Sequence, residues 1–316
     1  MSATSHRILA IVGPTASGKT SLALSIAKKR AAEVVSADSR QIFKYLDIGT
    51  AKPSIAERTA VKHHFVDALD PSCEYNAGQF GCDARIVVKE VLKKKKLPVL
   101  VGGSGLYVKA VIDGLFDGPG KDPEIRLMLE EQLQSEGLDA LLKDLRMVDP
   151  LTVVRMREVT PRRVIRALEV YRVTGKPMSQ LHAEEEFMPG FDAYQVGLLW
   201  DRKELYQRID KRVEAMLEAG LVDEVKNLIS KGYDRHLNAL NTVGYKEVFD
   251  CIAGIHSREE MVRLIKRNSR RFAKRQMTWF KRDERVHWIR VSGDDWIERV
   301  TQKVLEALEG RKRSRR

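Results

Sequence analysis

The sequence predicts an α/β protein: a parallel-sheet core of the P-loop NTPase type carrying a mainly helical insertion domain. Three observations predict it. Short apolar runs alternate with helix-periodic segments, a glycine-rich loop joins the first strand to the first helix, and one long helix-periodic stretch contains no strand. The 316 residues are 43% hydrophobic, enough for one large core with a satellite lobe.

The strands are expected at Ile8–Val12, Glu33–Ser36, Pro98–Val101 and Tyr194–Trp200, with a weaker candidate at Val286–Val291. Helical patterns separate the first three, as crossover connections in a parallel sheet require. From about Phe116 to Met188, "DPEIRLMLEEQLQSEGLDALLKDLRMVDP" and "TPRRVIRALEVYRVTGKPMSQL" keep helical spacing between Asp-Pro, Gly and Pro boundaries. The flanks "GLFDGPGKDP" and "EEEFMPGFD" have the composition of hinges. Later helices stop at Gly220 and Gly232, and a long basic amphipathic helix is expected over Ser257–Lys281. The organisation read from this is 1–116 as the first part of a phosphate-loop core, 117–190 as the helical insertion, 191–310 as the rest of the core with basic helices, and 311–316 as a basic, disordered tail.

Composition narrows the function classes. A formal net charge of +12 favours a polyanionic partner, nucleic acid first. Cys73, Cys82 and Cys251 are far apart, so neither a disulfide framework nor a zinc site is expected, and a cytoplasmic location is. "MSATSHR" does not read as a signal peptide, and no apolar run approaches the roughly 18 residues of a membrane span. The lysine run Lys93–Lys96 reads as a solvated helix end that complements the helix dipole.

The loop "GPTASGKT" comprises Gly13, Pro14, Thr15, Ala16, Ser17, Gly18, Lys19 and Thr20. Its glycines let backbone N–H groups turn toward an anion, the following helix adds its dipole, Lys19 supplies charge, and the Thr20 hydroxyl is placed for Mg²⁺. Such a loop takes an anion with at least two phosphoryl groups without specifying ATP. The strand that would carry the metal-holding acid of a motor NTPase ends instead in "GGSGLY", with Ser104 and no carboxylate. That turn reads either as close backbone approach to a ligand or as a tight strand-to-helix turn.

Asp38, in "VVSADSRQIF", lies just past a strand's carboxyl end, on the same sheet edge as the loop. It could hold Mg²⁺, accept a proton from an incoming nucleophile, or simply cap a turn. In "DIGTAKP", Thr50 and Lys52 are candidates for phosphate or RNA contacts.

Eight ordered motifs, "GPTASGKTSLA", "SADSRQIF", "DIGTAKP", "HHFVD", "VGGSGLY", "RALEV", "TVGYKE" and "RRFAKRQMTWF", resemble those of tRNA dimethylallyltransferases, also called tRNA isopentenyltransferases, over Ile8 to Trp288. The resemblance implies transfer of a five-carbon group from dimethylallyl diphosphate to the 6-amino nitrogen of adenosine 37 of tRNA, with Mg²⁺ as cofactor and diphosphate released. It also implies a phosphate-loop core with a helical insertion on the anticodon stem-loop, working in the cytoplasm; a monomer is expected. By motif match, Gly13 to Thr20 hold the diphosphate, with Lys19, Thr20 (as the Mg²⁺ ligand), Arg212 and Asp38 catalytic, Asp38 as the acceptor of the amino proton. The tRNA group carried over is Asp38, Ser39, Arg40, Gln41, Ser104, Arg126, Arg163 and Arg166, then Asn241, Thr242, Val243, Gly244, Tyr245 and Lys246, then Lys274, Arg275, Gln276, Trp279 and Lys281.

Independently of the resemblance, Arg263, Arg267, Arg270, Arg271, Lys274 and Arg275 fall along one helical face, with Met261, Ile265, Phe272 and Trp279 assigned to the other. Such a stripe fits a phosphate backbone. Trp279 reads either as a base-stacking or as a core aromatic. One departure stands out: many bacterial members have His-Pro-Asn-Asp before the arginine-rich insertion helix, where this chain has Arg157-Glu158-Val159-Thr160. The rival readings are a prenyltransferase acting on free adenine nucleotides, a P-loop small-molecule kinase, and a nonenzymatic RNA-binding protein. The basic helix argues against the first two, and Lys19, Thr20 and Asp38 together against the third.

Overall fold

Ile8, Ala10 and Val12 enter one apolar cluster while Leu9 and Ile11 enter another, all fully buried. A strand whose two faces are both covered must lie inside a layered α/β fold. The computed structural model describes residues 7–115, 118–184 and 191–313. They fall into two compact units, one of Met1–Gly114 with Pro189–Arg316 and one of Leu115–Met188.

The first unit begins with β1 (Arg7–Val12), α1 (Lys19–Lys29), β2 (Ala32–Ser36), α2 (Ile55–Ala60), β3 (His63–His64), α3 (Ala77–Lys93), β4 (Leu97–Gly102) and α4 (Gly105–Ile112). The second contains α5 (Pro123–Glu136), α6 (Leu138–Val148), α7 (Pro150–Arg155), α8 (Pro161–Thr174) and α9 (Met178–Glu184). The first then resumes with β5 (Asp192–Leu199), α10 (Arg202–Glu218), α11 (Leu221–Ser230), α12 (Tyr245–Ile252), α13 (Arg258–Phe280), β6 (Val286–Arg290) and α14 (Trp296–Arg313).

The six strands form one sheet in the order β3-β2-β4-β1-β5-β6, every pairing parallel. Leu22 and Ile26 of α1 and Val300, Val304 and Leu308 of α14 cover one face. Phe80, Ala84 and Val88 of α3 and Tyr107, Val108 and Val111 of α4 cover the other. A third cluster joins Ile42, Phe43 and Leu46 to Val213, Val225, Tyr245, Val248 and Met261. The chain leaves β1 to one side for β2 and returns through β4, and β5 then adds on the other side of β1. Ligands of such sheets collect at that switch, beyond the strands' carboxyl ends.

Three sequence expectations change here. Strand β3 has two residues and pairs with Val34 and Val35, too short to leave a periodic signal. The lysine run is more than a solvated helix end: Lys96 Nζ lies 2.9 Å and Lys94 Nζ 4.0 Å from Glu33, which is 2% exposed. Burial raises the Glu33 carboxyl, but bonds from Lys96 and His64 outweigh it and hold the group at about 2. The basic tail is helical at its start, since α14 continues to Arg313. Residues 1–6, 116–117, 185–190 and 314–316, which include most of "MSATSHR", parts of both hinge candidates and the end of the basic tail, lie outside the described residues.

The second unit packs Leu129, Leu141, Leu145, Val164, Ile165 and Leu168 into its own core. Beside it, the fully buried Glu169 receives Arg126 at 2.8 Å and Arg166 at 2.9 Å. Removing the carboxylate would take the shared acceptor away from two guanidinium groups. Glu169→Ala is therefore expected to destabilise this unit by about 3–5 kcal/mol, measurable by chemical denaturation. Burial raises the Glu169 pKa, yet the two arginines outweigh it and lower it overall. Its contribution is thus present above the ordinary carboxylate range and is lost as pH falls through the lowered value. At the departure from the bacterial pattern, Thr160 is the N-cap of α8 without a side-chain cap bond, and Arg163 donates back to the Glu158 carbonyl at 2.8 Å.

Candidate active site

The phosphate loop leaves β1 at Gly13 and enters α1 through Gly18, both with positive φ, and Ala16 between them sits at φ 61°. The first N–H groups of a helix lack intrahelical partners, so the start of α1 presents donors to an anion. A cavity of about 480 Å³ opens here, within the range of small-molecule sites. Thr15 to Thr20, Asp38, Gln41, Gly102, Gly103, Arg208, Arg212 and Gln276 are among its lining residues. The loop, the end of β2, the second glycine turn and Arg212 of α10 thus converge on one space.

Lys19 Nζ donates to the Pro14 carbonyl at 2.6 Å. Burial foremost, then Arg212, pull the Lys19 amine down to about 7, while Asp38 opposes them. Burial also lowers the pKa of Arg212, again against Asp38, and its guanidinium donates to the Thr50 carbonyl at 3.2 Å. Two crowded cations beside one carboxylate make a place that a multivalent anion would relieve.

Asp38 combines the readings left open by the sequence. Its Oδ1 accepts the N–H of Arg40 at 2.9 Å and of Gln41 at 3.3 Å, an Asx turn, while the residue also lines the cavity. Ser104 Oγ accepts the Ser39 N–H at 3.1 Å and joins the second glycine turn to the same segment. Gln41 spends its side chain on Ser36 and on the Thr50 and Ala51 carbonyls. Arg40 donates to the Asn238 carbonyl at 2.5 Å.

Mg²⁺ takes hard oxygen ligands, typically one or two from protein with the rest from phosphate and water. The Thr20 hydroxyl in this cavity fits that pattern. Among the described residues no cluster of three or more His, Cys, Asp or Glu offers an all-protein cage.

Several expected contacts are corrected. Tyr245 is fully buried and donates to Glu224 at 2.6 Å, against Gly49, so it cannot face RNA. Gln276, 7% exposed, accepts the Thr15 N–H at 2.8 Å and donates to the Gly103 carbonyl at 3.0 Å, tying loop to turn. Thr50 is buried and bonded to the Leu46 carbonyl at 2.6 Å. The Lys52 ammonium is taken by Asp47, Asp67 and the Phe43 carbonyl. Gly102 is needed for close approach to protein as well as to the cavity, because a Cβ there would lie 2.0 Å from the Ala37 carbonyl oxygen.

Helix α13 is also redrawn. Met261 and Ile265 are buried as expected, but Phe272 is 39% and Trp279 41% exposed; Leu264, Ala273, Gln276 and Phe280 complete the buried side. Trp279 covers Gly105, and Phe272 lines the cavity. Arg263, Lys266 and Arg270 are neutralised by Glu260, Glu214 and Asp210, acids distant or unweighted in the sequence. Arg271, Lys274, Arg275 and Lys281 remain exposed. Asn241 and Lys246 are exposed, Thr242 and Val243 partly so, and Gly244 is buried. Arg126, Arg163 and Arg166 belong to the second unit, where Arg126 and Arg166 hold Glu169.

Sequence reasoning missed Arg208 and His63. Arg208 of α10 lines the cavity. The His63 Nδ1 donates to the Val61 carbonyl at 2.7 Å, and its Nε2, buried at the cavity wall, has no hydrogen-bond partner among the described residues. Burial lowers the pKa of this ring. A histidine in the two-residue strand β3 carries no periodic signal that would single it out.

The sequence model of the IPP transferase family matches residues 41–283. The tRNA dimethylallyltransferase of Pelotomaculum thermopropionicum is 41% identical over 304 residues, 96% of each chain. That of Cytophaga hutchinsonii is 45% identical over 288 residues, 91% of this chain and 94% of the relative. Among solved structures, the full-length tRNA isopentenylpyrophosphate transferase of Bacillus halodurans superposes with a TM-score of 0.73 at 37% identity, covering 98% of this chain and 99% of that one. A eukaryotic dimethylallyltransferase acting on tRNA superposes with a TM-score of 0.84 at 25% identity, covering 98% and 80%. With matches this extensive, in a fold whose loop, carboxylate and second glycine turn share one cavity, the chain belongs to the IPP transferase family.

Proposed function

We propose that this protein transfers the dimethylallyl group of dimethylallyl diphosphate to the 6-amino nitrogen of adenosine 37 in tRNA, beside the anticodon, and releases diphosphate. The observation that carries this reading is the shared cavity: a cation-rich phosphate end built by Lys19, Arg212 and the loop, with the Asp38 carboxylate in the same space.

Leaving-group departure from an allylic carbon is fast once the diphosphate charge is neutralised. The amides at the start of α1, Lys19 and Arg212 stabilise the charge that grows as the C–O bond breaks. Thr20 would hold Mg²⁺, which when bound supplies further neutralisation of the phosphate oxygens. The 6-amino group of adenine is a weak nucleophile because its lone pair is delocalised into the ring. Asp38 orients it and takes its proton as the N–C bond forms. The adenine must leave its stack to reach an enclosed carboxylate, so a flipped nucleotide is part of the proposal.

The test incubates the protein with dimethylallyl diphosphate, Mg²⁺ and unmodified tRNA, then identifies nucleosides by mass spectrometry. Isopentenyl-adenosine at position 37 is expected. Its absence, with ATP consumed instead, would return the loop to a kinase; product on free adenine nucleotides alone would assign the cytokinin-type reaction.

The exposed cations of α13 are proposed as tRNA backbone contacts. Arg271→Gln and Lys274→Gln are each expected to weaken tRNA binding and lower the salt slope by about one unit. Arg263→Gln, removing a cation already paired with Glu260, is expected to change the slope little. Equal slopes in all three variants would take this face out of the interface.

A further inference from the structure

A phosphate loop works only if its peptide planes are turned the right way. In a trans peptide the C=O and the following N–H point in opposite directions. Each amide aimed into the anion cradle therefore sends the preceding carbonyl outward, into protein, where it needs a donor.

Two side chains supply those donors. Trp200 Nε1 donates to the Ser17 carbonyl at 2.9 Å, and Arg208 Nε donates to the Ala16 carbonyl at 2.9 Å. The guanidinium of Arg208 lies 4.1 Å from the centroid of the Trp200 ring, which fixes both in one stack. Trp200 meets Trp296 edge to face at 5.7 Å, and Trp296 closes on Gly18 so tightly that a Cβ there would lie 2.5 Å from its ring. The braced residue Ala16 holds a positive φ that side chains with a Cβ rarely adopt.

We infer that Trp200 and Arg208 are positioning residues for the diphosphate: by holding the Ala16 and Ser17 carbonyls outward they aim the Ser17 and Gly18 amides at the leaving group. Arg208 also lines the cavity, so its remaining N–H groups add positive charge at the same end. The inference rests on the proposed use of the loop for a diphosphate, and it concerns residues outside the loop motif.

Inorganic diphosphate with Mg²⁺ is titrated calorimetrically into the full-length wild type and into Trp200→Phe, Arg208→Gln and Arg208→Lys. Phenylalanine keeps an aromatic ring but removes the indole donor; lysine keeps charge but not the planar stack. Diphosphate affinity is expected to fall about tenfold in Trp200→Phe and in Arg208→Gln, with partial recovery in Arg208→Lys. The apparent KM for dimethylallyl diphosphate should rise in step, while tRNA affinity stays within about twofold, a separation that general loss of structure would not produce. If a variant's thermal midpoint drops below the assay range, wild type and the remaining variants are compared by the ratio of diphosphate to tRNA affinity. Unchanged diphosphate affinity in both Trp200→Phe and Arg208→Gln, or parallel loss of diphosphate and tRNA affinity, overturns the inference. Failure of the wild type to bind diphosphate overturns the diphosphate reading itself, and this inference with it.

Discussion

Asp38→Asn is expected to lower turnover about 10²- to 10⁴-fold while tRNA affinity changes little. Asparagine is the informative substitution because Asp38 has two jobs. Its Oδ1 caps the turn through the Arg40 and Gln41 N–H groups, and an amide oxygen can continue to do so. An amide cannot take the proton of the 6-amino group. Asp38→Ala removes both functions and is expected to lose turnover and to loosen the segment that carries Gln41. Single-turnover kinetics with saturating dimethylallyl diphosphate separates the chemical step from binding. Near-normal turnover in Asp38→Asn would show that another group accepts the proton and that Asp38 serves the turn alone.

Lys19→Met should produce the second large effect, a loss of about 10²- to 10³-fold in kcat/KM, the size found when one donor to a developing anion is removed. The loss should fall on the diphosphate side, leaving tRNA binding intact. The depressed pKa adds a sign that can be checked. Because the Lys19 amine is held at about 7 in the free protein, it is largely neutral at pH 8.5. A bound diphosphate favours the ammonium and raises that pKa, so binding should take up close to one proton at about pH 8.5. Calorimetry in two buffers of different ionisation enthalpy reads the uptake directly. No proton uptake would mean that Lys19 is already charged in the free site. The same shift predicts that folding stability rises with pH from about 7 toward the ordinary lysine value, since over that window the unfolded chain holds the extra proton.

Most of the fold is legible because its signals are local. The continuous apolar run Ile8 to Val12, the caps of the helices and the glycine stops are written within a few residues of the elements they define. The helix expected over Ser257–Lys281 is observed at Arg258–Phe280 with Ser257 as its cap, because capping residue and periodicity agree. The phosphate loop is legible for the same reason: glycines, lysine and threonine at fixed spacing produce the cradle without help from distant residues.

What the sequence alone determined, then, was the alternating α/β order, the loop and the charge that points to a polyanion. The tertiary structure decided which of the family-type residues face the cavity and which hold it up. Tyr245 and Gln276 sit in motifs that read as RNA contacts, yet one is core and the other ties the loop to Gly103. Arg270 looks like a free cation until Asp210, 60 residues away in the chain, is placed against it. Trp200 and Arg208 lie more than 180 residues from the carbonyls they brace. The physical reason is that hydrogen bonds and ion pairs depend on distance in space. Spacing along the chain reveals them only when a single helix, strand or turn brings the partners together.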